Sequence, residues 1–238
     1  MDNAGYVGLS RNAGLSKELT TIANNIANIS TNGFRREGAV FAEHVKALQN
    51  DDPSLSIATM TRRYVDLNQG EITSTNNALD FAIEGDGFFL IETPAGERLT
   101  RDGAFSLNPE GELITANGAR VLNDANGAIA IPAGATDIAV SGDGAIFADG
   151  QAVGRLGIVT ADAAFLTREG DNAFLAENGF APVENPKVRQ RALEGSNVNP
   201  VTELARLIEV QRTYDSSRTL MNQEDERIKR TVQTLGRT

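Results

Sequence analysis

The side chains with chemistry to offer are few. His44 is the only histidine and there is no cysteine. Thiolate zinc sites, disulfides and cysteine nucleophiles are therefore excluded, and a Ser/His/Asp triad would have to use His44. With no second histidine to join it, His44 reads as structural or solvent-facing. Carboxylates are the remaining candidates. Glu84, Asp86 and Asp102 could form an acid/base pair for glycoside hydrolysis, which is defined by separation in space. Each lies beside a glycine, however, where turn formation explains it. Asp124-Ala125-Asn126-Gly127 resembles a fragment of a calcium loop, but without the ligand series and terminal Glu it reads as a turn. Gly85-Asp86-Gly87 reads as a bulge or hairpin. The chain has no phosphate-cradling Gly-rich Lys loop, no HExxH and no nucleophile elbow. No catalytic residue, metal, cofactor or small-molecule substrate is expected.

Charge narrows the partners. Of the formal net charge of -10, residues 1–40 carry 4 basic and 3 acidic side chains, residues 187–238 carry 10 and 7, and residues 41–186 carry 8 and 22. An acidic, Lys/Arg-poor centre argues against nucleic acid and reads as a solvated face. No run of about 18 apolar residues exists, so no membrane insertion is expected. Met1-Asp2-Asn3-Ala4-Gly5 has neither a basic n-region nor an apolar h-region, and a cleaved secretory signal is not expected. That leaves a cytoplasmic protein or one exported by a route that cleaves nothing.

With chemistry set aside, the elements themselves become the subject. From Asn199 to Leu235 the pattern is helical, with Leu207, Tyr214, Met221, Ile228 and Leu235 recurring every seven residues. The row expected to complete the seam reads Leu204, Gln211, Arg218, Asp225 and Val232 and is mostly polar. A stripe this narrow on a helix this long belongs against other helices. Asn199 suits the cap, Pro200 the first helical position, and Glu203 the positive helix end. Near the other terminus, Leu15, Leu19, Ile22, Ile26 and Ile29 form a short heptad seam. Ala13, Ala23 and Ala27 widen it, and Thr31-Asn32-Gly33 is expected to end that helix just before Phe34. Asn24, Asn25 and Asn28 within it read either as solvated or as side-chain hydrogen bonds between packed helices. The first helix covers only part of the long stripe, and the rest is expected to be a subunit contact.

Between the helices the period shortens. Residues 34–69 are mixed, with a turn at Asp51-Asp52-Pro53-Ser54. From about Gly70 to Gly179, apolar pieces such as Phe88-Phe89-Leu90-Ile91, Leu113-Ile114, Ile129-Ala130-Ile131, Ile138-Ala139-Val140 and Leu156-Gly157-Ile158-Val159 alternate with Gly-, Asn- and Pro-rich turns. This predicts a Gly-rich antiparallel β domain, either a sandwich or an irregular barrel. The adjacent Phe88 and Phe89 should face opposite ways, one into the core and one outward as a contact candidate. The fold class is thus α+β. Residues 1–33 and 199–238 form a discontinuous coiled-coil domain, residues 34–75 and 185–198 a partly β connection, and residues 76–184 the acidic β domain.

Four stretches together resemble the flagellar rod, hook and hook-associated axial proteins of bacteria. They are Ala23-Asn24-Asn25-Ile26-Ala27-Asn28 through Gly33-Phe34-Arg35-Arg36; Leu79-Asp80-Phe81-Ala82-Ile83-Glu84-Gly85-Asp86-Gly87-Phe88-Phe89; Thr100-Arg101-Asp102-Gly103-Ala104-Phe105-Ser106 leading to Leu113-Ile114-Thr115; and Leu193-Glu194-Gly195-Ser196-Asn197-Val198-Asn199-Pro200-Val201 followed by Gln211-Arg212-Thr213-Tyr214. Within that family the opening Met1 to Ser10 and the Asn222-Gln223-Glu224 ending are most similar to proximal-rod members, with distal-rod members second. The resemblance implies a rod subunit, exported unprocessed by the flagellar type III apparatus and polymerised in the periplasm with copies of itself and neighbouring rod proteins. It also implies an inner helical domain in which Leu15, Leu19, Ile22, Ile26 and Ile29 pack on Leu207, Tyr214, Met221 and Ile228 and on adjacent subunits. Two other classes stay in competition: an acidic β binding module on a helical stalk, and a carboxylate hydrolase of cell-wall glycan. The long uncovered stripe favours the structural subunit.

Overall fold

A computed structural model describes residues 3–46 and 55–236, with side chains described over 8–41 and 62–236. The side chain of His44 and the Asp51-Asp52-Pro53-Ser54 turn lie outside the described residues. The chain divides into two compact units. The first comprises residues 1–27, 37–64 and 199–238, the second residues 28–36 and 65–198. The expected connection is thereby split, residues 37–64 going with the helices and residues 65–75 and 185–198 with the β domain.

The first unit contains α1 (Asn3–Ala27), α2 (Pro200–Leu235) and a two-stranded sheet of β1 (Glu37–Lys46) and β2 (Leu55–Val65). α2 begins where its cap chemistry places it. Asn199 Oδ1 accepts from the N–H groups of Val201 and Thr202 at 3.0 and 3.1 Å, satisfying two of the helix's orphan donors. α1 ends earlier than its seam implies. Asn28 accepts from the Thr31 backbone and, through its side chain, from the Thr31 hydroxyl, a local turn that competes with helix continuation. Gly33 does take the left-handed conformation, φ +64°, but in that separate turn rather than as the helix cap. Ile29 is half-buried in the same turn and is not part of α1.

The second unit is antiparallel β. Its main sheet runs β14 (Leu166–Glu169), β15 (Ala173–Ala176), β6 (Gly96–Thr100), β5 (Phe88–Thr93), β9 (Arg120–Val121), β8 (Leu113–Thr115) and β7 (Phe105–Leu107). β5 is its hub. One edge pairs with β6, while the other is divided between β9 at Ile91 and Glu92 and β13 (Ile158–Thr160) at Phe88 and Phe89. β16 (Ala181–Pro182) pairs β13 on its far side. A separate meander joins β10 (Ile138–Val140), β11 (Ala145–Ala148) and β12 (Gln151–Arg155), and two short pairs join β17 (Val188–Gln190) to β4 (Phe81–Ile83) and β18 (Ala192–Glu194) to β3 (Ile72–Ser74). β17 and β18 are separated at Arg191, whose φ is +56°.

Both faces of β5 are covered. Phe89 and Ile91 enter one apolar cluster with Phe81, Phe105, Leu113, Val121 and Ile146; Phe88 and Leu90 enter another with Leu99, Leu122, Val159, Leu166 and Phe174. Phe88 and Phe89 do point opposite ways, but each points into a core, so neither is an outward contact. Hydropathy shows alternation; it does not show that a second layer waits on the other side.

Gly103 tests this packing. A Cβ there would fall 1.7 Å from the carbonyl oxygen of Phe81, while its own oxygen accepts from Phe81 N at 3.0 Å. Gly103→Ala is expected to cost at least about 2 kcal/mol, whereas Gly170→Ala, with nothing within 4 Å, should stay within about 0.5 kcal/mol. Urea unfolding of the two variants checks the contrast, and equal midpoints would refute it.

Candidate functional site

Two arrangements stand out, one in each unit. In the first, α1 and α2 run antiparallel: Asn25 meets Glu203, Glu18 meets Arg206, and Asn12 and Gly8 meet Met221. Leu15, Ile22 and Val210 form the buried centre, with Leu19, Ile26, Leu207 and Tyr214 packed against it. Met221 and Ile228 continue the stripe as half-buried residues.

The residues of the rows inferred from hydropathy fall on different faces of the two helices. In α2 the row through Leu207 and Tyr214 faces α1, but its companion is Glu203 and Val210, followed by the half-buried Ser217 and Glu224. Leu204, Gln211 and Arg218 are exposed. In α1 the companion of Leu15 and Ile22 is Glu18 and Asn25, one residue before the Leu19 and Ile26 of the predicted row. Ala13, Ala23 and Ala27 are exposed and do not widen the seam. The physical cause is polar. Asn25, fully buried, donates to Glu37 O at 2.8 Å and to Glu203 Oε2 at 3.3 Å, and accepts from Glu37 N at 3.0 Å. Glu18 takes two hydrogen bonds from Arg206, at 2.7 and 3.0 Å, and this pairing raises the Arg206 pKa. Polar side chains that satisfy one another occupy the seam positions that hydropathy assigns to solvent. Asn25 thus bonds across the helices, while Asn24 is exposed and Asn28 serves the turn.

In the second unit, Glu194 lies between two arginines. Its Oε1 is 2.7 Å from Arg35 Nη1 and its Oε2 3.0 Å from Arg101 Nη1, and all three side chains are essentially inaccessible. Backbone groups complete the shell. Gly70 N donates to Glu194 Oε1 at 2.8 Å and Gly33 N to Glu194 O at 2.7 Å; Arg35 donates to Asn68 O, and Arg101 to Ile83 O and Gly85 O. Arg101 also stands over Phe88, and Arg168 is held over Phe34 and Phe174 at 4.2 and 4.7 Å. Asn197 ties the surrounding crossings, accepting from Arg36 N and donating to Asp66 O and Asn68 O. Gly33 has no room for a side chain, because a Cβ would lie 2.2 Å from the Arg101 carbonyl carbon. Burial lowers the pKa of Arg35 and brings that of Arg101 to about 10, with Glu194 opposing both shifts. Two cations share one carboxylate, and Arg35 Nε, Arg35 Nη2 and Arg101 Nε have no hydrogen-bond partner among the described residues.

Composition and periodicity do not identify this cluster. Its parts, Phe34-Arg35, Ile83 to Phe88, Arg101 to Gly103 and Leu193 to Asn197, are the family-like words of the sequence, which the fold gathers at one place. Their arginines and glutamate, read alone, look like solvent residues.

The remaining candidates have local roles. Glu84 is exposed near Arg189, and Asp86 is exposed. Asn123 Oδ1 accepts from Ala125 N and Gly127 N, making the 124–127 stretch a turn. Among the described residues, no group of three or more His, Cys, Asp or Glu is placed to hold a metal, and no helix is long and apolar enough to cross a membrane.

Removing Glu194 would strand both arginines. Glu194→Ala is expected to cost about 3–5 kcal/mol, against about 0.5 kcal/mol or less for the exposed Glu184→Ala; a loss below about 1 kcal/mol in urea titration would show the cluster to be dispensable. Asp102 provides a pH signature. Burial raises its pKa, with Asp80 adding to the shift and the Ala104 N–H opposing it. Its favourable contribution is fully present below the ordinary carboxylate range and is lost as pH rises through the raised value. Asp102→Asn keeps an oxygen for Ala104 N and should be at least as stable as the parent at neutral pH. The parent should then gain on the variant as pH falls through the raised value towards about 4. A stability difference that does not vary with pH would exclude this.

Comparison with known proteins matches three stretches of the chain. Residues 6–35 match the flagella basal body rod protein family, residues 82–148 the flagellar hook protein FlgE/F/G D1 domain, and residues 189–234 the flagellar basal body rod FlgEFG protein C-terminal family. The chain is 41% identical over 243 residues to the flagellar basal-body rod protein FlgF of Caulobacter vibrioides, covering 100% of this chain and 99% of that one. It is 35% identical to FlgF of Mesorhizobium japonicum over 246 residues, 99% of each. It is 34% identical over 239 residues to the flagellar basal-body rod protein FlgG of Agrobacterium fabrum, covering 87% of this chain and 90% of that one. Likeness of this extent from end to end shows that the chain belongs to the family of bacterial flagellar basal-body rod proteins.

Proposed function

We propose that this chain is a structural subunit of the flagellar rod that assembles through its α1–α2 unit and transmits torque by packing rather than by chemistry. The observation that carries this reading is α2 itself. Of its 36 residues only Glu203 and Val210 are buried within the chain, and half-buried residues are confined mainly to the side that meets α1, so its outward face is available to neighbours. Charge supports the same division of labour. Residues 1–27, 37–64 and 199–238 hold 12 basic and 12 acidic side chains, and residues 28–36 and 65–198 hold 10 and 20. A neutral helical unit can pack against copies and other rod proteins without self-repulsion, while the acidic β unit stays solvated.

In this reading Leu15, Leu19, Ile22 and Ile26 hold α1 to Leu207 and Tyr214, and the outward face of α2, including Leu204, Gln211 and Arg218, meets adjacent subunits. The subunit leaves the cytoplasm through the flagellar export apparatus with its N-terminus uncut and stands in the periplasmic rod. Deleting the gene should abolish swimming, and the restored protein should fractionate with intact basal bodies, its N-terminal peptide unprocessed by mass spectrometry. Restored swimming with the protein confined to soluble periplasm or cytoplasm would overturn the reading.

A further inference from the structure

The turn between β14 and β15 takes a shape that its own residues resist. Ala173 N donates to Gly170 O at 3.0 Å, and the two residues between them, Asp171 and Asn172, have φ +53° and +56°. Among the described residues no other two adjacent non-glycine residues lie in the left-handed region. Two such residues in succession mark a type I′ turn, whose second central position is commonly glycine because it carries no Cβ to strain. Asn tolerates that conformation better than most residues, but less freely than glycine. What glycine would lack is the carboxamide.

That carboxamide is engaged at both of its atoms. Asn172 Oδ1 accepts from Arg168 Nη1 at 3.0 Å, and Asn172 Nδ2 donates to Asn32 O at 2.7 Å. Arg168, in β14, donates in turn through Nη2 to Arg35 O and stands over the Phe34 and Phe174 rings. The hairpin thus grips the carbonyls on either side of Gly33-Phe34, with the buried Phe34 ring under the guanidinium between them. The gripped carbonyls lie 140 and 133 residues away in sequence.

We infer that the β14–β15 hairpin is a latch over residues 32–35, in the segment that joins α1 to β1, and that Asn172 is the positioning residue that closes it. Through one carboxamide it couples Arg168, the grip at Arg35, to Asn32, the grip at the other end. Glu194 holds the side chain of Arg35, and the latch holds the backbone that carries it. Arg168 and Asn172 are half-buried, and β14 lies at the edge of its sheet. Water can therefore replace their hydrogen bonds without dismantling β5 or its two cores. The latch sets how often the segment loosens by itself, apart from unfolding of the unit.

Amide hydrogen exchange of the full chain tests this. Gly33 N and Arg36 N are bonded to Glu194 O and Asn197 Oδ1, and Leu90 N, in β5, to Gly157 O. Asn172→Gly suits the turn and removes the carboxamide; Asn172→Asp keeps the acceptor for Arg168 and removes the donor to Asn32. In both variants Gly33 and Arg36 should exchange about fivefold faster or more, with Leu90 within about twofold of the parent. Unchanged exchange at Gly33 and Arg36 in either variant would show Asn172 to be a turn residue only and overturn the latch. Acceleration of Leu90 by the same factor would overturn it too, because the hairpin would then open only with the whole unit.

Discussion

Glu194 sets the terms for the β unit. Among the described residues it is the one carboxylate in direct contact with both Arg35 and Arg101, 159 and 93 residues away in sequence, and without it neither buried guanidinium group would have a counter-charge in contact among them. Desolvation makes such a cluster a poor source of net stability but a severe penalty on any arrangement that leaves it incomplete. Segments 28–36, 65–70, 81–86, 100–103 and 192–198 must therefore arrive together. Residues 28–36, 65–70 and 192–198 also adjoin every point at which the chain passes between its two units.

β5 extends the same logic to apolar packing. Because Phe88 and Phe89 serve different cores, the strand cannot slip by one residue without exchanging the contents of both. Arg101 links the two devices: it pairs with Glu194 while its guanidinium stands over the Phe88 ring. The glycines of the same words allow the approach, Gly103 against Phe81 and Gly33 against the Arg101 backbone.

How much of this is legible in the sequence depends on whether a residue's role is local. α2 reads correctly at its start because Asn199 and Pro200 act on the next two or three residues. The turn at Asp124 to Gly127 reads correctly for the same reason. Most short strands follow from alternation, though Ile129-Ala130-Ile131 makes only an isolated bridge at Ala130 despite two buried isoleucines. The end of α1, the second row of each helical seam and the ion cluster fail together. In each case polar residues find their partners far along the chain or in a competing turn. Asn25 is satisfied by Glu37 and Glu203, and Glu194 by Arg35 and Arg101, so hydropathy places outside what the fold places inside. The words that resemble the axial family mark these positions without revealing the reason.

The row from Leu204 through Gln211, Arg218 and Asp225 to Val232 illustrates what the structure adds. As the second side of a seam it would be mostly polar, and a seam of that kind would scarcely hold. Placed outside the α1–α2 contact over most of its length, the row instead has apolar ends and a polar middle. Covering Gln211, Arg218 or Asp225 with an apolar neighbour would cost free energy that covering Leu204 or Val232 would return. A helix that is apolar along its whole outer face would pack more tightly but in many staggers.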